Sequence, residues 1–371
     1  EVPFVIGGVG AGRWYAGDLH SHSNLSDGVL PPRRLVAEAE REGLDFFAIT
    51  DHNRWVYPWF EGTDDILVIP GIEVTMPYGH FNVFGENGEE PGWVDLLPRG
   101  PGETNEVLQA GAARELLAAA RADGLRSSIN HPRISPWAWW DPEADLGAIS
   151  YLEVWNDPTW PENRSANPAT LDMWSRWLNA GLRVTAVGGS DFHDPTPKRR
   201  RDGVRLEGHR VGVPRTYVRA TSRTAAAILA GLDAGRAYVT MGPTIELSGI
   251  GPSGASVGIG DDLGDVEGSL EIEASCAGAG DLTLELVTGR GVVARAEGRG
   301  GVGVRTRLDL SRGRAGWLRV DVRDGGGEVV AFTNPMFHGP PVPPRRHRYG
   351  MFTDMTPLGR GGLPPVDVET T

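Results

Sequence analysis

The chain has 371 residues, 40% of them hydrophobic and 23% charged, the balance of an ordinary globular protein with room for one large core and a smaller one. Its net charge of −13 argues against a broad nucleic-acid-binding surface, which needs clustered positive charge; bound dications would offset part of that acidity. A single cysteine, Cys276, excludes an intrachain disulfide framework and a cysteine-based zinc site, and leaves the compartment open.

Between Arg13 and Gly242 short apolar runs alternate with amphipathic stretches, the pattern of an α/β domain. The first run leads into Gly17-Asp18-Leu19-His20-Ser21-His22, with Ser26-Asp27-Gly28 behind it, and a helix is predicted over residues 32–41. Phe46-Phe47-Ala48-Ile49-Thr50 passes directly into Asp51-His52-Asn53. Ile66-Leu67-Val68-Ile69 precedes Pro70-Gly71, then Ile72-Glu73-Val74 and Gly79-His80. A helix over residues 103–122 is followed by Ser128-Ile129 and the step Asn130-His131-Pro132. Tyr151-Leu152-Glu153-Val154 runs into Trp155-Asn156, and a helix is predicted over 168–180. Val184-Thr185-Ala186-Val187 ends at Gly188-Gly189-Ser190-Asp191-Phe192-His193, and the last helix is predicted over 222–234.

Past Pro243 the pattern changes to short alternating strands with glycine-rich turns, such as 270–274, 282–287 and 317–322. The domains read as 1–242, an α/β unit; 243–338, an antiparallel β-sandwich; and 339–371, a Pro-, Gly- and Arg-rich tail expected to be extended or partly disordered. No apolar run reaches the roughly 18 residues of a membrane span. The chain begins with Glu1 rather than Met, as removal of an upstream segment would leave it; a cleaved export signal is one such segment, and without one the cytoplasm is the expected compartment.

Six of the nine histidines lie in the motifs just named, nearly all directly after an apolar run. A lone histidine is commonly a satisfied core residue, but six beside carboxylates form a ligand set for zinc, manganese or iron, and imply more than one ion. His20 and His22, two apart, would present both imidazoles to one face, with Asp18 orienting a histidine from behind. Asp27 could fold back onto the site. His52 is the expected ligand of its motif, while Asp51 could orient it or bind a second ion. Glu73 could bridge two ions, which matters because a hydroxide shared by two metals is a strong nucleophile at neutral pH. His80 and His131 could complete a further coordination sphere. Asp191 and His193 repeat the two-apart spacing, and Asp191 is the candidate for both ligation and proton transfer to the leaving group.

Gly-Asp-Leu-His-Ser-His-Ser with Ser-Asp-Gly, then Thr-Asp-His-Asn, Gly-Ile-Glu, Asn-His-Pro and Ser-Asp-Phe-His together resemble the PHP (polymerase and histidinol phosphatase) domain superfamily over residues 13–242. The resemblance implies a distorted (β/α)7 TIM-like barrel with two or three divalent metal ions (zinc, manganese or iron) at the strand C-termini. It also implies a metal-dependent phosphoesterase that hydrolyses phosphate mono- or diesters through a metal-bridged hydroxide. Carried over motif by motif, the metal ligands are His20, His22, Asp27, His52, Glu73, His80, His131, Asp191 and His193, with Asp191 and Glu73 catalytic. Asp27 stands where some members have histidine. The Arg13-Trp14-Tyr15 lead-in, the Gly79-His80-Phe81-Asn82 element and residues 235–243 are closest to the CehA/McbA-type branch, which includes hydrolases of aryl carbamates. A carbamate or carboxylic ester hydrolase built on the same site is therefore the alternative.

For substrate binding, Arg133 could reach a phosphate oxygen bidentately, with Arg54 as a second cation and Trp155 and Asn156 on the pocket wall. Lys198-Arg199-Arg200-Arg201 with Arg205, Arg210 and Arg215 could draw in an anion or form a solvated loop, and His209 lies among them. Trp55, Trp59, Trp137, Trp139 and Trp140 could receive a ring-bearing leaving group or simply pack loops. The expected partner is a small anionic or ester molecule.

Overall fold

Strand β1 (Arg13–Asp18) runs inward, its last four residues buried, and the chain leaves it at Leu19 carrying His20 and His22. The structure, a computed structural model, describes residues 12–57, 65–98, 111–199, 203–341 and 347–352. Helix α1 (Pro32–Arg41) starts on proline, whose fixed φ suits the first helical position, and buries Leu35, Val36 and Ala39 on one face. Taking a leucine or valine of this kind out of water contributes about 1.5–3 kcal/mol. Then come β2 (Phe46–Ala48), β3 (Leu67–Ile69), β4 (Gly71–Met76), β5 (Gly79–Phe84), α2 (Ala112–Ala122), β6 (Arg126–Ile129), β7 (Tyr151–Asn156), α3 (Asn163–Asn179) and β8 (Thr185–Gly189). Short β9 (Lys198–Arg199) and β10 (Arg205–Leu206) pair with each other, and β11 (Arg215–Ala220), α4 (Ala225–Asp233) and β12 (Ala237–Thr240) follow. The helix predicted over 103–122 is described only from Ala112. The one predicted over 168–180 begins earlier, at Asn163, and carries Pro168 inside it.

Strands β1, β2 and β3 pair in parallel, as do β6, β7 and β8, whereas β5 runs antiparallel to both β4 and β6. The fold is mixed α/β, but the expected closed (β/α)7 barrel is not what forms among the described residues. The strands instead make a five-stranded sheet, β4-β5-β6-β7-β8, and a twelve-stranded sheet in which β1, β2 and β3 lie at one end. Two local causes are visible. The chain changes sheets at Pro70, which has no N–H to extend a ladder. A tight hairpin, rather than a helical crossover, joins β4 to β5. Gly79 makes that turn at φ +124°, where a Cβ would lie 2.8 Å from the Trp139 ring. Single bridges, Ser21 with Phe192 and His52 with Glu73, tie the two sheets where the polar motifs begin.

The C-terminal region comprises β13 (Thr244–Ile250), β14 (Ser256–Gly258), β15 (Gly268–Thr288), β16 (Gly291–Leu310), β17 (Gly316–Asp324), β18 (Val329–Thr333) and β19 (Met336–His338). It is antiparallel, as expected, but it is not a free-standing sandwich, because β18 pairs with β12 and so continues the twelve-stranded sheet. The two strands expected at 270–274 and 282–287 are one long strand, β15, with a register shift between Ala277 and Asp281. Part of the expected loose tail is anchored: α5 (Tyr349–Phe352) buries Tyr349 completely, its ring 5.8 Å from that of Trp177 and its N–H bonded to Ala144 O. The rest of the tail lies outside the described residues. No described helix is long and apolar enough to cross a membrane.

Candidate metal centre

The polar motifs meet because each sits at or just past the inner end of a strand. His20 and His22 follow β1, His52 follows β2, Glu73 and His80 lie on the β4–β5 hairpin, His131 follows β6, and Asp191 and His193 follow β8. Asn53, His131 and Asp191 are the non-glycine residues with left-handed φ among those described, at +52°, +27° and +48°. Backbone strain of this kind persists only where surrounding structure over-determines it, and here it is confined to the cluster. Gly189 leaves room for the centre: a Cβ there would lie 2.4 Å from both Glu153 Oε1 and His20 Cβ.

Glu73, fully buried, is the hub. Its Oε1 lies 3.2 Å from His20 Nε2, 3.4 Å from His80 Nδ1 and 3.4 Å from His131 Nε2. Its Oε2 lies 2.8 Å from His52 Nδ1 and 3.6 Å from His22 Nε2. Asp191 Oδ1 lies 3.3 Å from His20 Nε2 and 3.0 Å from His22 Nε2. Asp27, whose side chain is 56% exposed, closes the outer side at 3.3 Å from His193 Nε2, 3.5 Å from His52 Nε2 and 3.8 Å from His22 Nδ1. All nine sequence-predicted ligands are thus in one cluster. They fall into four overlapping donor groups, His22-Asp27-His52-His193, His20-His22-Glu73, His20-His131-Asp191 and His52-Glu73-His80, with the donor atoms of each within 4.8 Å of one another.

The cluster fits divalent ions. His22 Nδ1, His80 Nδ1 and His131 Nδ1 are buried without a hydrogen-bond partner among the described residues, and three carboxylates sit within reach of six imidazoles. Buried lone pairs and negative charges in that number are compensated by bound cations.

The charges within the cluster act on one another. Burial alone would push the His20 imidazole down, but Asp191, Glu153 and Glu73 outweigh it and hold it well above its ordinary value. His22 is pushed down to about 3, first by burial and then by its imidazole neighbours His193 and His52, so it stays neutral and able to ligate. Against its burial, His52 is raised to about 10 by Glu73 and Asp27. Burial would raise the Glu73 and Asp191 carboxyls, yet the histidines around them, His20 foremost, hold both well below the usual range.

Several supporting residues went unassigned in the sequence reading. Glu153 Oε1 lies 2.8 Å from His20 Nδ1, while its Oε2 accepts from His131 N at 2.8 Å and Asn156 Nδ2 at 3.1 Å. Its signal was a carboxylate inside the otherwise apolar run Tyr151–Trp155. Asn130 Nδ2 donates to Glu73 Oε1 at 2.8 Å, and Thr75 Oγ1 bonds His52 Nδ1. Asp51 lies outside the four donor groups, and its carboxylate accepts from Ser23 N, Ser23 Oγ and Ser26 Oγ, pinning the loop that carries Asp27. Asp18 acts on backbone rather than on an imidazole, accepting from His20 N, Ser190 N and Gly212 N.

The substrate-binding expectations divide. Asn156 is at the centre, its amide 3.4 Å from Asp191 Oδ2. Arg133 is buried directly after His131-Pro132, and Arg54 is half-buried two residues after His52. Trp155 turns away: its Nε1 donates to Met241 Sδ and its ring lies 5.9 Å from that of Phe332, in the core. Arg210 and Arg215 reach Glu42, and Lys198 pairs with Asp194. Arg200, Arg201 and Trp59 lie outside the described residues. Trp139 is core, whereas Trp137 is partly exposed, with its ring edge-on to that of Trp160 at 5.7 Å. His209 receives the His193 N–H at Nδ1 and lies 3.5 Å from Asp157 through Nε2.

With the geometry in place, comparison with known families is informative. Residues 18–127 match the PHP domain. The match takes in less than a third of the chain and ends before His131, Asp191 and His193, which the fold adds to the same cluster. Among solved structures, the chain is similar to a two-domain protein from Bacteroides vulgatus containing a predicted PHP-like metal-dependent phosphoesterase. Identity is 19%, coverage is 87% of this chain and 95% of that one, and the TM-score is 0.46. It is also similar to an amidohydrolase from Chromobacterium violaceum with bound sulfate and no metal, at 17% identity, 52% of this chain, 91% of that one and a TM-score of 0.32. Likenesses this distant say nothing of activity. No curated protein matches. The PHP domain match and the histidine–carboxylate cluster together support a metal-dependent hydrolase.

Proposed function

We propose that the protein is a metal-dependent phosphoesterase acting on phosphate mono- or diesters. In this reading residues 1–242 are the catalytic unit and residues 243–338 are an accessory β-region. The observation that carries the proposal is Glu73: a fully buried carboxylate with five imidazoles within 3.6 Å, divided between its two oxygens. That arrangement suits a carboxylate shared between ions, two or three of which would be held by the four overlapping donor groups. Bound zinc, manganese or iron would supply an activated water and charge neutralisation at the reacting centre.

The chain's own groups do the rest. Asp191, the more exposed of the two inner carboxylates at 21%, faces the reacting side with Asn156 on its Oδ2. Held deprotonated, it takes the proton of the attacking water and passes it to the leaving oxygen. Arg133, buried beside His131, favours a phosphoryl group over a neutral carbonyl, because a guanidinium pairs two oxygens of a phosphate.

The test is turnover of nitrophenyl phosphate mono- and diesters by protein loaded with manganese or zinc, and its loss in Asp191→Ala and His22→Ala. Metal-loaded protein that turns over no phosphate ester would sink the proposal. Cleavage of naphthyl carbamates instead would decide for the CehA/McbA-like alternative.

A further inference from the structure

We infer that Thr216 and Asn334 are positioning residues for the metal centre, so that the C-terminal β-region is a working part of the site rather than an appendage. The inference rests on the reading of Asp191 as a metal ligand. Strand β8, which delivers Asp191, is the edge of the five-stranded sheet and is buried along its whole length. Its inner edge pairs with β7. Its outer edge presents the N–H and C=O of Ala186 and Gly188 to β11 and β12, neither of which forms a ladder with it, and buried backbone groups left unpaired are costly.

Two side chains satisfy all four groups. Asn334 Oδ1 accepts from Ala186 N at 2.8 Å, and Asn334 Nδ2 donates to Ala186 O at 2.9 Å. Thr216 Oγ1 accepts from Gly188 N at 2.9 Å and donates to Gly188 O at 3.0 Å. Each side chain thus imitates one residue of a hydrogen-bonded neighbour strand. Both are buried and both belong to the other sheet: Thr216 lies on β11, and Asn334 directly follows β18. Asn334 is held in turn by its own bonds to Ala237, Nδ2 to Ala237 O at 3.0 Å and N to the same oxygen at 3.0 Å.

The clamp matters at its far end. Two residues beyond Gly189, Asp191 adopts its left-handed φ of +48° and sets Oδ1 between His20 and His22. These histidines leave β1, which pairs with β11, the strand of Thr216. Thr216 therefore fixes the register of the Asp191 strand against the histidine strand, and Asn334 carries the C-terminal region into the same lock. The direct links Asp191 N to His20 O and Ser190 N to Asp18 Oδ1 then work from a fixed base. Loss of an outer partner of a metal ligand typically costs 10–100-fold in affinity.

The decisive variant is Thr216→Val, isosteric but without the hydroxyl, compared with Thr216→Ser, which keeps it; Asn334→Leu tests the second half of the clamp. Manganese affinity is measured in the full chain by titration against a competing chelator, with kcat and KM on a nitrophenyl phosphate ester read alongside. Expected are at least a roughly tenfold weaker manganese affinity in Thr216→Val, a fall in kcat with KM little changed, and recovery in Thr216→Ser. Should Asn334→Leu fail to fold, the threonine pair carries the test alone. A folded Thr216→Val with wild-type manganese affinity, whatever its melting temperature, overturns the inference. Because affinity is read without turnover, a wild-type protein that hydrolyses no phosphate ester defeats the functional reading and leaves this comparison decisive for the clamp.

Discussion

Glu153 Oε1 lies 2.8 Å from His20 Nδ1, with both groups buried beneath the cluster. The contact suits a proton on Nδ1 and turns Nε2 toward His22, Glu73 and Asp191, the arrangement by which outer carboxylates orient histidine ligands. Through Oε2 the same carboxylate holds His131 N and Asn156. Glu153→Ala is expected to weaken metal binding and turnover by about 10–100-fold. Glu153→Gln, whose amide oxygen can still accept the His20 proton, loses less. Metal titration and kcat on a nitrophenyl phosphate check both, and wild-type behaviour in Glu153→Ala removes Glu153 from this role.

Asp27 is the exposed member of the outer donor group, and it touches neither Glu73 nor Asp191. Removing it opens one group and leaves the three inner ones intact. Asp27→Ala should therefore lower the number of metal ions per chain by one, without unfolding the protein or emptying the centre. Elemental analysis after gel filtration measures this. An unchanged ion count would place Asp27 outside the ligand set.

The histidine–carboxylate cluster was legible because nearly every member stands in a short polar motif directly after an apolar run, and a strand end is where such motifs can converge. What the pattern did not carry is instructive at β7. Trp155 and Asn156 both end the strand, so both were expected on the pocket wall. The ladder between β7 and β8 slips between Glu153 and Trp155, and of the two only Asn156 reaches the site, while Trp155 lies in the core. Sheet closure was equally hidden. The change of sheet at Pro70 follows a visible proline, but the pairing of β18 with β12 is a contact between distant segments that no local pattern encodes.

The raised His52 gives a pH dependence with a definite sign. Its imidazole is held at about 10 in the folded chain by Glu73 and Asp27, against about 6.5 when unfolded. A raised value means that the folded state holds the proton more tightly. The stabilisation is therefore fully present below about 6.5 and is lost as pH rises toward about 10. Chelator-treated protein should thus melt at lower temperature at pH 9.5 than at pH 7, and His52→Asn should flatten that slope. A melting temperature that climbs over the same interval would contradict the assignment. Metal loading should reverse the trend, since ligation needs the neutral imidazole and improves as protons leave.

Arg319 joins α3 to the C-terminal sheet through a buried ion pair. It donates to Asp321 from two nitrogens at 2.7 and 3.0 Å and to Ser175 Oγ at 2.8 Å, and lies 5.1 Å from the Trp174 ring and 5.3 Å from that of Trp317. Both charged side chains are nearly inaccessible, at 4% and 5% exposure, and among the described residues Arg319 is the cation paired with the aspartate. Arg319→Met keeps much of the volume but strands Asp321, and should cost about 3–5 kcal/mol in urea unfolding. Replacing both, as Arg319→Met with Asp321→Leu, removes the stranded charge and should recover most of that loss, because a buried pair is worth little more than apolar residues of its size. A single variant within about 1 kcal/mol of wild type would show the pair to be as weak as an exposed one.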